Sequence, residues 1–281
     1  MSTGTCLCES VSWEITEPVD STYHCHCSMC RKTHGASFAT YSFVPFDQVK
    51  WTSNMDTVIN YSSSASLDRP FCGKCGSVIP GKSSDNKFYY VPLGCHDDGP
   101  KPDCHIFTDS KAPWIGIDDD LPQYAAHPPE EEDQPVYQNK ELSPPTAGVL
   151  RGGCLCGLVQ FEVTESFRAI HNCHCTRCRR ARAAAFTTNG FVSSEGVRFT
   201  SGEEHIKVYK VPSAKFFTHS FCDTCGSGVP RIDVARKISV IPMGSLDDDP
   251  RQEPEDHIFV EDKAKWYDIV GDLPMFDQYP K

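Results

Sequence analysis

No apolar run in these 281 residues approaches the roughly 20 that a membrane-spanning helix needs, so an integral helical membrane protein is excluded. Positive charge is also scarce. Lys and Arg number 27 against 38 Asp and Glu, for a net charge of −11, and such a surface opposes phosphate backbones. Nucleic acid is therefore not expected as a main partner. No apolar leader separates Met1-Ser2-Thr3-Gly4 from the first cysteine, and no long helical period appears along the chain. These absences point to a cytoplasmic protein, with a nuclear pool left open, whose thiols stay reduced.

Cysteine, by contrast, is abundant at 16 residues, and most of it falls into one pattern written twice. The first copy is Cys6-Leu7-Cys8, Cys25-His26-Cys27-Ser28-Met29-Cys30 and Cys72-Gly73-Lys74-Cys75. The second is Cys154-Leu155-Cys156, Cys173-His174-Cys175-Thr176-Arg177-Cys178 and Cys222-Asp223-Thr224-Cys225. Equivalent cysteines lie 148 positions apart early in the copies (154 − 6, 173 − 25) and 150 apart later (222 − 72), so a short insertion separates them. Thiols at one- and two-residue gaps can converge on one ion, whereas a disulfide rarely fits so short a gap.

The copies agree beyond cysteine. Val11-Ser12-Trp13-Glu14-Ile15 and Val159-Gln160-Phe161-Glu162-Val163 alternate apolar with polar, the period of a half-buried strand. Val49–Ser53 with Val197–Ser201, and Tyr90–Gly94 with Val240–Gly244, are further short β-like pairs. Arg31–Ala36 and Arg179–Ala184 allow one helical turn after each three-cysteine stretch. Both copies close with His-Ile-Phe (His105, His257), then Lys111-Ala112-Pro113-Trp114 or Lys263-Ala264-Lys265-Trp266. The expected organisation is mainly β: a first zinc domain over 1–125, a Pro-rich acidic linker over 126–148 and a second zinc domain over 149–281.

Within each copy the seven thiols divide into four and three. Cys6, Cys8, Cys72 and Cys75, like Cys154, Cys156, Cys222 and Cys225, make a closed tetrahedral set of the structural kind, with Gly76 and Gly226 supplying a positive-φ turn. Cys25, Cys27 and Cys30, and Cys173, Cys175 and Cys178, leave a fourth position over, as catalytic zinc sites do. Two readings stay open: an exchangeable fourth position, or one closed by His24, His26, His105, His171, His174 or His257. Cys95 and Cys104, outside the pattern, read as plain packing thiols.

CxC, then CHCxxCR(K/R), then FCxxCG, followed by HIF and KAPW, resembles the glutathione-dependent formaldehyde-activating enzyme family, which includes centromere protein V. The resemblance covers nearly all of each copy, Gly4 to Tyr124 and Gly152 to Tyr279. It implies a small zinc-binding β-sandwich in each copy, up to two zinc ions per copy, and a structural four-cysteine and a catalytic three-cysteine site. It also implies carbon–sulfur lyase chemistry with glutathione or another thiol as co-substrate; a non-catalytic zinc scaffold of the centromere protein V type is the alternative. Arg31, Lys32 and Arg69 are expected to bind substrate carboxylates. The second copy departs from the pattern, with Ala183 for glycine and His219 for arginine, which weakens the expectation for its site. Its Arg177, Arg179, Arg180 and Arg182 crowd one end of the triplet, either to hold an acidic substrate or as a solvated basic turn. A homo-oligomer stays open, since tandem copies can themselves mimic a dimer.

Overall fold

The computed structural model describes residues 2–17, 19, 21–64, 67–129 and 146–280; most of the expected linker, 130–145, lies outside them. The chain is mainly β, with two seven-residue α-helices among the described residues, α1 (Ser28–His34) and α2 (Thr176–Arg182). No helix among them is long and apolar enough to cross a membrane.

Alternation yields the expected strands. Ser12–Ile15 buries Trp13 and Ile15 and pairs antiparallel with Ser2–Thr5 and Val49–Trp51; Gln160–Val163 does the same with Leu150–Gly153 and Val197–Ser201. Each half also carries a larger sheet. In the first its order is Gly81–Lys82, Phe88–Pro92, Ala39–Pro45, Ser21–Cys25, Cys104–Ile106. In the second it is Arg231–Asp233, Ile238–Pro242, Thr187–Val192, Ala169–Cys173, Asp256–Ile258, Met275–Phe276. The first cysteine of each triplet ends the strand that runs parallel to the His-Ile-Phe strand, opposite Ile106 or Ile258. Strand ends of a packed sheet thus fix where the triplets begin.

The helices start earlier than the sequence suggests. Cys27 Sγ accepts the Cys30 N–H at 3.3 Å and Cys175 Sγ the Cys178 N–H at 3.4 Å, so a sulfur caps each helix in place of the usual oxygen. The last cysteine of each triplet therefore sits inside the first helical turn. Gly35 (φ 56°) closes α1 in the left-handed region, and Ala183 (φ 51°) does so for α2 in spite of its Cβ.

The halves are interlocked. Trp114, from the first half, packs with Phe161, Ile170, Val192 and Met243 in the core of the second. Trp266 packs on Phe38 and Leu93 of the first half and donates its Nε1–H to the His96 carbonyl at 3.1 Å. Phe71 and Phe221 meet edge to face across the centre at 6.4 Å. Two glycines permit the approach: a Cβ on Gly94 would collide with the backbone of Ala183 and Ala184, and one on Gly244 with that of Ala36. Ion pairs repeat the symmetry, with Lys32 on Asp247 at 2.7 Å and its counterpart Arg180 on Asp97 at 3.3 Å, where Arg179 joins at 2.7 Å.

Candidate metal centres and the thiol triplets

The four-cysteine sets assemble as the spacing predicts. In each, all four sulfurs lie within 4.8 Å of one another. Individual separations are 3.6 Å for Cys6–Cys8 and Cys8–Cys72, 3.4 Å for Cys154–Cys156 and 3.7 Å for Cys156–Cys222. A tetrahedron of thiolates about 2.3 Å from a zinc ion has edges of roughly 3.8 Å, so the donors fit such an ion and are too far apart for disulfides. All sixteen cysteines are free. Backbone N–H groups point at the sulfurs, Val11 to Cys6 at 3.4 Å and Val159 to Cys154 at 3.3 Å, as suits thiolate acceptors. Gly76 (φ 78°) and Gly226 (φ 71°) take the left-handed turn after each second pair.

The triplets converge as well. Cys25, Cys27 and Cys30, and Cys173, Cys175 and Cys178, each bring three sulfurs within 4.8 Å of one another, and among the described residues neither set includes an imidazole or carboxylate. The histidines have other partners. His105 Nε2 lies 3.0 Å from an Asp119 oxygen and so carries the proton, which leaves Nδ1 to accept from His26 Nε2 at 2.8 Å. His174 Nε2 and His257 Nδ1 repeat that contact at 2.8 Å, His171 pairs with Asp256 at 2.7 Å, and His24 with Thr40 at 2.8 Å. Burial pushes the His26 imidazole down to about 3, with His105 adding to the effect, so that ring is neutral. Cys104 packs beside Cys25 and Cys30 without joining the ligand set, and Cys95 gives its S–H to the Val78 carbonyl.

In each triplet one sulfur is drawn below the ordinary thiol range. Hydrogen bonds from Cys25 and Cys27, then the Arg69 charge, bring Cys30 well below the ordinary thiol range. In the second half hydrogen bonds from Cys173 and Cys178 bring Cys175 down to about 3. Three thiols crowded this closely into a buried site suit a shared cation far better than three protons.

Of the three residues expected to hold substrate, the structure brings Arg69 to a triplet: its Nη1 and Nη2 each lie 3.7 Å from Cys30 Sγ, and Nε donates to Ser63 at 3.1 Å. Lys32 is turned to the other half, where it also donates to the Gly153 carbonyl at 3.0 Å, and Arg31 lies over the Trp114 ring at 5.7 Å. In the second half Arg179 and Arg180 are bound to Asp97 across the same interface. The sequence reading missed His34 and Tyr41. His34 Nδ1 donates to the Arg182 carbonyl at 2.6 Å, so Nε2 accepts from Tyr41 Oη at 2.6 Å, and the phenol is fixed beside the first triplet. A phenol on the next strand, 11 positions beyond the last cysteine of the triplet (41 − 30), carries no local signal.

Comparison with known proteins follows the same division into halves. The glutathione-dependent formaldehyde-activating enzyme family matches residues 1–110 and 149–262. A Fusarium vanettenii protein named as such an enzyme is 34% identical over 79 residues, 27% of this chain and 42% of its own length. One from Podospora anserina, of the same name, is 36% identical over 76 residues, 26% and 36% respectively. The chain thus spans less than half the length of these relatives. A Schizosaccharomyces pombe protein named as a lyase is 29% identical over 133 residues, 41% of this chain and 91% of that one. A solved Rhodobacter sphaeroides structure aligns with 37% of this chain and 97% of its own at 23% identity and a TM-score of 0.28. With the family matched over both halves and its cysteines gathered into two four-thiol and two three-thiol sets, the chain belongs to the glutathione-dependent formaldehyde-activating enzyme family, in two tandem copies.

Proposed function

We propose that this chain is a zinc-dependent carbon–sulfur lyase acting on the adduct of a glutathione-type thiol and an aldehyde. The observation that carries the reading is the pair of three-thiol sets without a fourth protein ligand among the described residues. Each half, 1–125 and 149–281 joined by 126–148, is read as a small zinc-binding β-sandwich, supported by its three-stranded sheet and its larger sheet. The four-thiol sets are assigned a structural role because they are closed.

Cys25, Cys27 and Cys30, and likewise Cys173, Cys175 and Cys178, would hold zinc, which when bound supplies a position where an incoming thiol is acidified. In synthesis the thiol sulfur bonds to the carbonyl carbon, the C=O π pair moves to oxygen, and the proton given up by the thiol ends on that oxygen. The reverse cleaves the C–S bond. The chain's own groups set the charge and the solvent. Arg69 offsets the excess negative charge of the thiolate set at Cys30. Tyr41, locked by His34, and Tyr23, Phe107 and Tyr124 form an apolar wall around the first triplet that excludes water from the reacting carbon. The test is metal content and adduct turnover in Cys27→Ala, Cys175→Ala and the double variant. Loss of about one zinc per single variant with loss of turnover in the double is expected; full turnover in the double variant overturns the reading.

A further inference from the structure

The two triplets carry the same basic groups at exchanged positions. Four residues after Cys30 stands His34, and four after Cys178 stands Arg182; three residues before Cys72 stands Arg69, and three before Cys222 stands His219. In the first half both groups are engaged. Arg69 lies on Cys30 and Ser63, and His34 is bonded through both ring nitrogens. In the second half both have an atom without a partner.

His219 is 2% exposed, and its Nδ1 lies 2.9 Å from the Cys75 carbonyl. A carbonyl only accepts, so Nδ1 holds the proton and Nε2 presents a lone pair; that atom is buried and unpartnered. Arg182 Nη1, lodged where Gly35 and Gly228 have no Cβ, is buried and unpartnered too, and among the described residues its guanidinium forms no ion pair. Both side chains line a cavity of about 100 Å³ whose wall includes Cys173 and Cys178, and no Asp or Glu lines it among the described residues. Asn189, at the strand position of Tyr41, also lines it, so a short amide stands where the first half has a phenol ring.

A buried guanidinium nitrogen without an acceptor and a buried imidazole nitrogen without a donor are both costly, and one ligand can satisfy the two. It needs an anionic oxygen for Arg182 and a hydroxyl for His219, in a cavity of about 100 Å³ with room for a small organic molecule. Resting on the thiol–aldehyde reading above, we propose that the cavity beside Cys173 and Cys178 is a binding site for a short α-hydroxycarboxylate. The second half then handles the adduct of a thiol with an aldehyde that carries a carboxylate on the adjacent carbon. In that adduct the new S–C bond and the former carbonyl oxygen, now protonated as a hydroxyl, sit on one carbon. The hydroxyl donates to His219 Nε2 and the carboxylate accepts from Arg182.

Calorimetric titration of the zinc-loaded full chain tests this with three probes: mercaptoacetate, 2-mercaptoethanol and glycolate. Mercaptoacetate is expected to bind at least about 10-fold more tightly than 2-mercaptoethanol, and glycolate to bind measurably. Arg182→Gln should abolish the preference and the glycolate signal, while Arg182→Lys retains part of both. Asn189→Tyr, which refills the cavity, should weaken glycolate at least about 10-fold and decides the matter should Arg182→Gln fail to fold. Equal affinity for the two thiols in the unaltered protein, or glycolate binding untouched by Arg182→Gln or Asn189→Tyr, overturns the site while leaving thiol binding intact. Glycolate binding that depends on Arg182, with neither thiol binding, upholds the site and overturns the thiol reading instead.

Discussion

Replacing Arg69 by Gln should loosen metal at the first triplet and nowhere else. A zinc ion held by three thiolates carries a net negative charge, and Arg69 places both of its terminal nitrogens 3.7 Å from Cys30 Sγ in a buried setting. A unit charge pair at about 4 Å contributes about 4 kcal/mol at an effective dielectric constant near 20. At 1.36 kcal/mol per tenfold, and with local relaxation taking up part of the change, the zinc affinity of that triplet should fall about 100- to 1,000-fold. Titration with a chromophoric chelator reads the result as one zinc released at much lower chelator concentration, with the four-thiol sites as internal reference. Arg69→Lys, which keeps the charge, should fall less than 10-fold. Identical release curves for Arg69→Gln and the unaltered protein would refute the charge-balance reasoning.

Trp114→Ala should cost about 3–5 kcal/mol, and the damage should appear in the other half: amide exchange protection is lost at Gln160–Val163 before Ser12–Ile15. Loss confined to Ser12–Ile15 would contradict the exchange of tryptophans. Gly94→Ala or Gly244→Ala should destabilise by about 1–3 kcal/mol in urea unfolding, because a Cβ at either meets backbone rather than a movable side-chain tip. Burial lowers the His96 imidazole to about 4, and its ring accepts from Trp13 Nε1 at 2.8 Å. As pH falls below about 6.5 the unfolded chain binds this proton first, so stability present above that value drains away towards pH 4, by about 3 kcal/mol in all. Urea unfolding in saturating zinc at pH 7 and 4.5 should show at least this loss, and His96→Gln should reduce it by up to about 3 kcal/mol, the remainder belonging to other buried imidazoles such as His26 and His34.

The grouping of the cysteines into fours and threes was legible because CxC and CxxC pairs fix neighbouring sulfurs before any tertiary contact forms, and the structure only had to bring Cys6 to Cys72. The strands were legible too, since Trp13 and Ile15 alternate with polar neighbours. What the sequence hid was partnership between halves. Lys111-Ala112-Pro113-Trp114 reads the same whichever core receives the indole, and nothing local says that it is the second. The basic residues were misleading for a related reason: Lys32 and Arg179 stand beside the triplets in sequence, yet one helical turn rotates them towards Asp247 and Asp97. His219 read as a loss of arginine. The sequence already set Arg182 one turn after Cys178; what only the fold reveals is that Arg182 and His219 line one cavity beside that triplet.

The central claim is that each triplet leaves one position for an external sulfur, and zinc-edge X-ray absorption with a selenol in place of the thiol tests it most directly. After addition of selenocysteamine to the zinc-loaded chain, a zinc–selenium path should appear and should vanish in the Cys27→Ala, Cys175→Ala double variant. Unchanged sulfur-only coordination in the presence of excess selenol would contradict the account.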